Sequence, residues 1–223
     1  MFEWLSSFNV DVIKHDDSFA RTTQGKLLGI KSAIQNTLAD GTQRIVLVSH
    51  FAETFTLIQD MLDKHEIDYE VPTEILNRGW FDQLKKDQCA VQTTMAQMLK
   101  PFAEHGGSRS IEKKAVPSVR LTVIVTERHP LKSAEDQLEQ FCNSLPCKVQ
   151  WGYFLSFEDE VIRRLLDERA LKILDMFGMG ANELVNSKML SRRLAISLKK
   201  LGLDSAVCEP ADSAAQWFEL NMK

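Results

Sequence analysis

Four polar residues, Thr126-Glu127-Arg128-His129, are the first candidates for chemistry in this chain. They follow a short apolar run, Val119 to Val125, which is rich in β-branched residues and therefore predicts a buried parallel strand. Ligands of open α/β sheets bind at the carboxyl ends of the strands. The turn is thus a candidate catalytic or binding turn. The alternative is a local ion pair that bridges the strand and the next helix.

A second acidic pair, Glu158 and Asp159, follows the predicted strand end at Tyr153 to Phe157. Two carboxylates could hold a metal or serve acid–base chemistry, but consecutive residues on a helix do not face each other. We therefore expect helix capping here. The sequence indicates no Ser–His–Asp or Cys–His arrangement. It also lacks the Walker A pattern, whose glycines and lysine cradle nucleotide phosphates.

The composition is that of an ordinary globular protein. The chain has 223 residues, of which 44% are hydrophobic and 26% charged, enough for one large or two small domains. The net charge of −4 gives no basic field that would recruit nucleic acid. No stretch approaches the roughly 20 apolar residues of a membrane span, and the amino end does not resemble a signal peptide. We expect a cytoplasmic protein.

Cysteine and histidine usage predicts no metal site and no disulfide framework. The five histidines are scattered, and the cysteine spacing fits neither zinc nor a redox pair. Free thiols are therefore expected at the four cysteines, which are Cys89, Cys142, Cys147 and Cys208.

The first half of the chain predicts a strand–helix–strand unit. Apolar spacing indicates a helix from Thr22 to Leu38, and Asp40-Gly41 has the turn chemistry that ends it. Arg44 to Ser49 predicts a buried parallel strand. A helix over Glu53 to Lys64 and an alternating strand over Ile67 to Val71 complete a right-handed crossover.

The second half predicts mainly helices. Met95, Met98 and Leu99 are spaced like one apolar helix face, within a stretch that is otherwise hard to interpret. A longer helix is expected over Glu158 to Met176. Another helix begins near Asn186 and carries a basic face, most simply a solvated one. The apolar tail after it is expected to fold back or to dock on a partner.

Four blocks of this sequence resemble, in order, the second nucleotide-binding domain of the SecA preprotein translocase motors and the start of their scaffold helix. In that family the blocks read T-E-R-H, Q-L-R-G-R-S-G-R-Q-G-D, F-Y-L-S-L-E-D and S-K-M-V-S-R. The matching residues here are Thr126 to His129, Gln137-Leu138, Phe154 to Asp159 and Ser187 to Arg192.

The resemblance implies a fold and a domain division. It implies a three-layer α/β domain of RecA-like, P-loop NTPase type with a mainly parallel sheet over residues 1–185. Residues 186–223 would form a short helical extension that resembles the start of the scaffold helix. By the same resemblance, the nucleotide-binding candidates are Thr126, Glu127, Arg128, His129 and Gln137.

The departures from the family pattern are equally informative. The three arginines of the family's arginine-rich block fall here on Glu139, Phe141 and Ser144, and its glycines are replaced as well. An arginine finger stabilises the charge that develops on the transferred phosphoryl group and accelerates the reaction by about 10³–10⁵-fold. A glycine-rich motif expected after Thr94-Met95-Ala96 is also missing. We therefore predict that this surface does not drive ATP hydrolysis.

The functional expectation is a degenerate motor half associated with protein translocation, which acts as a binding or regulatory module. We expect a protein partner (a motor domain or a translocation component), no nucleic acid and no bound cofactor, with peripheral membrane association left open. One alternative is an active ATPase or helicase half that completes an ATP site with a Walker A domain on another chain. The other is a small-molecule-binding domain that uses the turn from Thr126 to His129.

Overall fold

The computed structural model describes residues 12–39, 43–84, 89–101, 119–166, 170, 172, 180, 182–201 and 208–222. The strands are β1 (Val12–Lys14), β2 (Ser18–Ala20), β3 (Gln43–Ser49), β4 (Val91–Met95), β5 (Arg120–Val125), β6 (Lys148–Ser156) and β7 (Leu184–Asn186). The helices are α1 (Thr23–Leu38), α2 (Ala52–Lys64), α3 (Arg78–Leu84), α4 (Lys132–Ser144), α5 (Glu160–Leu165), α6 (Lys188–Lys200) and α7 (Ala214–Asn221).

The strands form one seven-stranded sheet in the order β4-β3-β5-β6-β2-β7. The long strand β6 pairs with β1 through residues 149–151 and with β2 through residues 154–156. Every pairing is parallel except that of β2 with β7. This arrangement brings the carboxyl ends of β3, β5 and β6 to the same edge of the sheet, where their following turns meet.

Helices cover both faces of the sheet. On one face Ile34 of α1 and Ile58 of α2 pack with Ile45 of β3 in a continuous apolar cluster. On the other face Leu138 of α4 and Leu194 of α6 share a cluster with the alternate residues of β3, β5 and β6. Parallel strands buried on both faces have continuous apolar sequences, as β3 does. The predicted three-layer α/β fold with a mainly parallel sheet is confirmed.

Hydroxyl side chains mark the start of three helices. Thr22 accepts a hydrogen bond from the amide of Gly25, Ser187 from that of Leu190, and Ser213 from that of Gln216. Each satisfies an amide that has no partner inside the helix, which is why serine and threonine are preferred there. The helices predicted from Thr22 and near Asn186 accordingly begin within two residues of the expected positions.

Two local predictions for residues 67–99 were wrong. The alternating segment Ile67–Val71 forms only a single bridge, from Glu70 to Gln92, and the crossover from β3 continues instead to β4. Met95 ends β4 and is followed by a 3₁₀ turn, so Met95, Met98 and Leu99 do not share a helix face. Short apolar runs do not distinguish a strand from a helix by their spacing alone.

Some predictions stay untested. The single helix predicted over Glu158 to Met176 is interrupted, because α5 ends at Leu165 and Leu166 has an extended backbone. Most of the residues beyond Leu166 in that range lie outside the described residues, and the division at residues 185 and 186 stays a prediction. Leu190 and Leu194 of α6 nevertheless lie in the same apolar cluster as the sheet. No helix in the described ranges has the length and apolar character that crossing a bilayer would require.

We predict that Gly29→Ala destabilises the protein, although alanine normally favours a helix. A Cβ atom at Gly29 would lie 1.8 Å from Cδ1 of Leu184, so the Leu184 side chain would have to move. The helix preference for alanine is worth about 1 kcal/mol, and overpacking costs about 1–3 kcal/mol. Urea denaturation should therefore show a net loss in Gly29→Ala and a recovery in the double variant with Leu184→Ala. A more stable single variant would contradict this packing.

Candidate functional site

Glu127 binds the amino end of α2. It follows β5 and is 6% exposed. Its Oε1 accepts hydrogen bonds from the amides of His50 and Phe51, both at 2.9 Å, and its Oε2 accepts one from Thr54 Oγ1 at 2.7 Å. Phe51, at the N-cap position, offers no side-chain cap of its own. A carboxylate from a neighbouring strand thus caps this helix.

The amino end of α2 is the kind of place where proteins bind anions. Helix amides without an internal partner point outward there, and the helix dipole favours negative charge. In this protein the carboxyl group of Glu127 already occupies that place. The amide of Glu53 donates to the carbonyl of Asp212, in the segment before α7, at 2.9 Å. A phosphate group would have to displace these contacts.

Arg128 joins three elements from a buried position. Its Nη2 donates to both oxygens of Asp17, at 2.7 and 2.8 Å, and its Nη1 pairs with Glu135 of α4. The guanidinium also lies 3.4 Å from the ring centroid of Tyr153. Although burial opposes the charged form, Glu135 is the largest of the groups that raise the pKa of Arg128. The expected ion pair between strand and helix is present.

His129 lies in an aromatic cluster with the carboxyl-terminal helix. Its ring stacks on Phe51 at 5.2 Å and meets the edge of Trp217 from α7 at 5.7 Å. Burial lowers the pKa of His129 to about 3, and it does the same to His50, whose ring lies 5.3 Å away. Trp217 is 2% exposed. Helix α7 therefore covers the turn from Thr126 to His129, which the sequence analysis identified as a candidate site.

Lys26 is a site residue that the sequence analysis missed. It is 2% exposed, and its Nζ donates to Asp159 Oδ1 at 2.6 Å and to the carbonyl of Thr126 at 3.1 Å. A signal was available, because Lys26 has the same helical spacing as the buried Ile30 and Ile34. A lysine on the inward face of an amphipathic helix indicates a buried ionic partner.

The acidic pair is structural, as expected, although it serves a different helix. Glu158 Oε2 accepts a hydrogen bond from the amide of Thr23 at the start of α1, at 2.7 Å. Asp159 binds Lys26 and also accepts from the amide and hydroxyl of Ser156, both at 2.8 Å. The described residues contain no group of three histidine, cysteine or acidic side chains that could share a metal ion.

Gln137 stands apart from the other four nucleotide-binding candidates. Thr126, Glu127, Arg128 and His129 meet at the carboxyl end of β5, whereas Gln137 lies on α4. Its Nε2 donates to the carbonyl of Leu99 at 2.6 Å. The structure gives each candidate a partner within the chain, and nucleotide binding at these residues stays a prediction.

The positions of the family's arginine block have other roles here. Phe141 is fully buried in the core, and its ring centroid lies 6.0 Å from that of Trp80. Glu139 is exposed and pairs with Lys14 at 3.0 Å. Ser144 donates to the carbonyl of Phe141 at the end of α4. An arginine at residue 141 would place a charge in the apolar core.

Comparison with known proteins gives consistent sequence matches. The chain is 24% identical over 190 residues to the protein translocase subunit SecA of Clostridium tetani (strain Massachusetts / E88). It is 25% identical over 186 residues to that of Azobacteroides pseudotrichonymphae genomovar. CFP2, and 25% identical over 190 residues to that of Clostridium botulinum strain Hall. The chain is SecA-like. No model of a protein family matches it.

The matched region makes up most of this chain but only a small part of each SecA relative. The matches cover 85%, 83% and 85% of this chain but only 22%, 16% and 22% of the respective relatives. Among solved structures, the C-terminal part of the Fun30 ATPase domain aligns with a TM-score of 0.44 at 11% identity, covering 81% of this chain and 55% of that one. Domain 2 of the DEAD-box helicase Mss116p, bound to an RNA duplex, aligns with a TM-score of 0.37 at 9% identity, covering 84% and 68%.

We predict that the buried ion pairs of Arg128 dominate the stability of this site. Removing one partner of a buried pair leaves an uncompensated charge and costs about 3–5 kcal/mol, so Arg128→Met should lose about that much unfolding free energy. The matched control is Lys132→Met, which breaks the exposed pair with Asp136 and should cost less than about 1 kcal/mol. Equal losses in urea denaturation would contradict this assignment.

The buried carboxyl group of Glu127 predicts a contribution to stability that falls as the pH rises. Burial raises its pKa from 4.5 to about 7. The folded state therefore binds more protons than the unfolded state between these values, and this contribution is lost as the pH rises through 7. From pH 6.5 to 8 the loss should be about 1 kcal/mol. His50 and His129 act in the opposite direction, because burial lowers their pKa values. The unfolded state releases the protons of these histidines as the pH rises from 6.5, so each adds about 0.4 kcal/mol of stability by pH 8. The net profile of the unchanged protein is therefore nearly flat.

The variant Glu127→Gln isolates this effect, because glutamine keeps the shape and cannot titrate. Urea denaturation at several pH values in that window should show that the unfolding free energy of Glu127→Gln rises with pH, by about 1 kcal/mol relative to the unchanged protein. Glu139→Gln, at an exposed position, is the control and should keep the original slope. Identical pH profiles in Glu127→Gln and the unchanged protein would contradict the raised pKa of Glu127.

Proposed function

We propose that this chain is a SecA-like motor-half domain that serves protein translocation as a binding or regulatory module and does not hydrolyse ATP. One observation carries the proposal. The edge of the sheet that would face a nucleotide is occupied by the chain's own groups, namely the carboxylate of Glu127 on the amides of α2 and Trp217 on His129.

Charge at this edge supports the proposal. Phosphate binding needs donors and positive charge, whereas Glu127 presents a carboxyl group at the donors of α2. The guanidinium of Arg128 is bonded to Asp17 and Glu135, so using it at a phosphate would break two buried ion pairs. Lys26 is likewise held by Asp159.

The residues at the positions of the family's arginine block support the proposal independently. The position of its second arginine is Phe141, a core residue, and the position of its first is Glu139, an acid. Restoring a finger would require changes in the packing of α4 as well as in side-chain type. In the described part of α4, the only basic side chain is that of Lys132, at its amino end.

The resemblance to SecA indicates the kind of partner that this chain would bind. We propose that the partner is a protein, either a motor domain or another translocation component, and that the protein works in the cytoplasm. Peripheral contact with a membrane is compatible with this role. No nucleic acid is expected, because the net charge is −4.

The test combines this protein with the SecA of the same organism. Sedimentation velocity should detect a complex, and ATP turnover by the isolated Walker A-bearing domain of that SecA should not rise when this protein is added. The second motor domain of SecA itself is the positive control for stimulation. Failure to bind SecA would contradict the proposed partner. Stimulated turnover would favour the alternative of an active half that completes an ATP site in trans.

A further inference from the structure

A cavity of about 250 Å³ lies between α1 and the sheet, at a different place from the turn of Thr126 to His129. It continues along α1 towards β7 into a shallower hollow of about 420 Å³. The residues that line both are Ser18, Ala33, Asn36, Phe154 and Asn186. Together they form one groove, which we call the α1 groove.

The floor of the α1 groove is polar where a covered sheet is normally apolar. Thr122 of β5 and Gln150 of β6 are direct neighbours in the parallel register. Gln150 Nε2 donates to Thr122 Oγ1 at 2.9 Å, and Thr122 donates to Gln43 Oε1 at 3.1 Å. Strands covered on both faces usually carry apolar residues. Here hydrogen bonds hold amide and hydroxyl groups in place under a helix.

The sides of the groove combine small and aromatic residues. Ala33 of α1 leaves room above the floor, and the half-buried Phe154 provides an apolar ring at one side. A Cβ atom at Gly152 would lie 3.3 Å from Cβ of His15. Glycine therefore lets the link between β1 and β2 lie against β6, which brings the exposed Asp16 to the rim.

We propose that the α1 groove binds a neutral, hydroxyl-rich small molecule of about monosaccharide size, either a sugar or the ribose of a nucleoside. A hydroxyl group both donates and accepts hydrogen bonds. Gln150 Nε2 already donates to Thr122 and Gln43. Asn186 Oδ1 accepts from Ser18 Oγ at 2.7 Å. A ligand hydroxyl would therefore donate to Gln150 Oε1 and accept from Asn186 Nδ2. A ring such as that of Phe154 packs on the C–H face of such a molecule. No lysine or arginine is among the described residues that line the groove, and Asp16 would repel an anion.

The cavity volume sets the size of the ligand. Small-molecule sites usually measure about 300–1,000 Å³, so the 250 Å³ cavity suits a single ring and its substituents. The shallower hollow beside it would take a second ring or an extended substituent. This proposal does not depend on the chain's relation to SecA, because none of the residues of the α1 groove was used to argue the translocation role.

The test is an amide NMR titration of the whole protein with three probes, glucose, uridine and uridine monophosphate. Glucose or uridine at about 20 mM should shift the amides that line the α1 groove, with dissociation constants of about 1 mM or below. Shifts with glucose identify a sugar, and shifts with uridine alone identify a nucleoside. Uridine monophosphate should bind more weakly than uridine. Absence of shifts with both neutral probes, or tighter binding of the monophosphate, would overturn the proposal.

Two variants locate the site. Ala33→Leu fills the groove and should weaken binding at least about tenfold, whereas Ala195→Leu, at an exposed position on α6, should leave it unchanged. Gln150→Leu removes a floor amide and should also weaken binding, which provides a second route if Ala33→Leu does not fold. Equal affinity in the folded groove variants and in Ala195→Leu would place the ligand elsewhere and contradict the assignment.

Discussion

The contact of Glu127 with the amino end of α2 is the constraint on which the account of this protein depends. It places a carboxylate on the two amides of His50 and Phe51, across the carboxyl ends of β3 and β5. Burying a carboxyl group is costly unless hydrogen bonds compensate. Those amides and Thr54 provide that compensation, and α2 gains a cap in return. The same contact removes the donors that an incoming phosphate would need.

The charged and aromatic side chains around this contact bind other groups of the same chain. Arg128 ties the start of β2 and the first turns of α4 to the end of β5, and Lys26 ties α1 to the turn after β6. Trp217 then covers the cluster from outside. A motor half needs this edge open, because its partner domain and nucleotide must meet it. In this SecA-like chain the edge contributes to stability instead, which is the physical basis of the proposed binding role without ATP hydrolysis.

Sequence patterns predicted those features that depend on local chemistry. Apolar runs located β3 and β5, and amphipathic spacing located α1 and α2. The cap on α2 could not be predicted in this way, because Glu127 is far from His50 in the chain and only sheet order brings them together. The same holds for Lys26 with Asp159. The strand predicted over Ile67–Val71 was wrong for a related reason. An alternating pattern does not show whether a neighbouring strand is available for pairing.

The most direct test of the central claim is an amide NMR titration with ATP and magnesium at neutral pH, observed at His50 and Phe51. If Glu127 occupies the amino end of α2, these two amides should keep their chemical shifts up to millimolar ATP. Saturable shifts of both amides at micromolar ATP would show that a phosphate replaces the carboxylate. That result would contradict the account of a closed, catalytically silent edge.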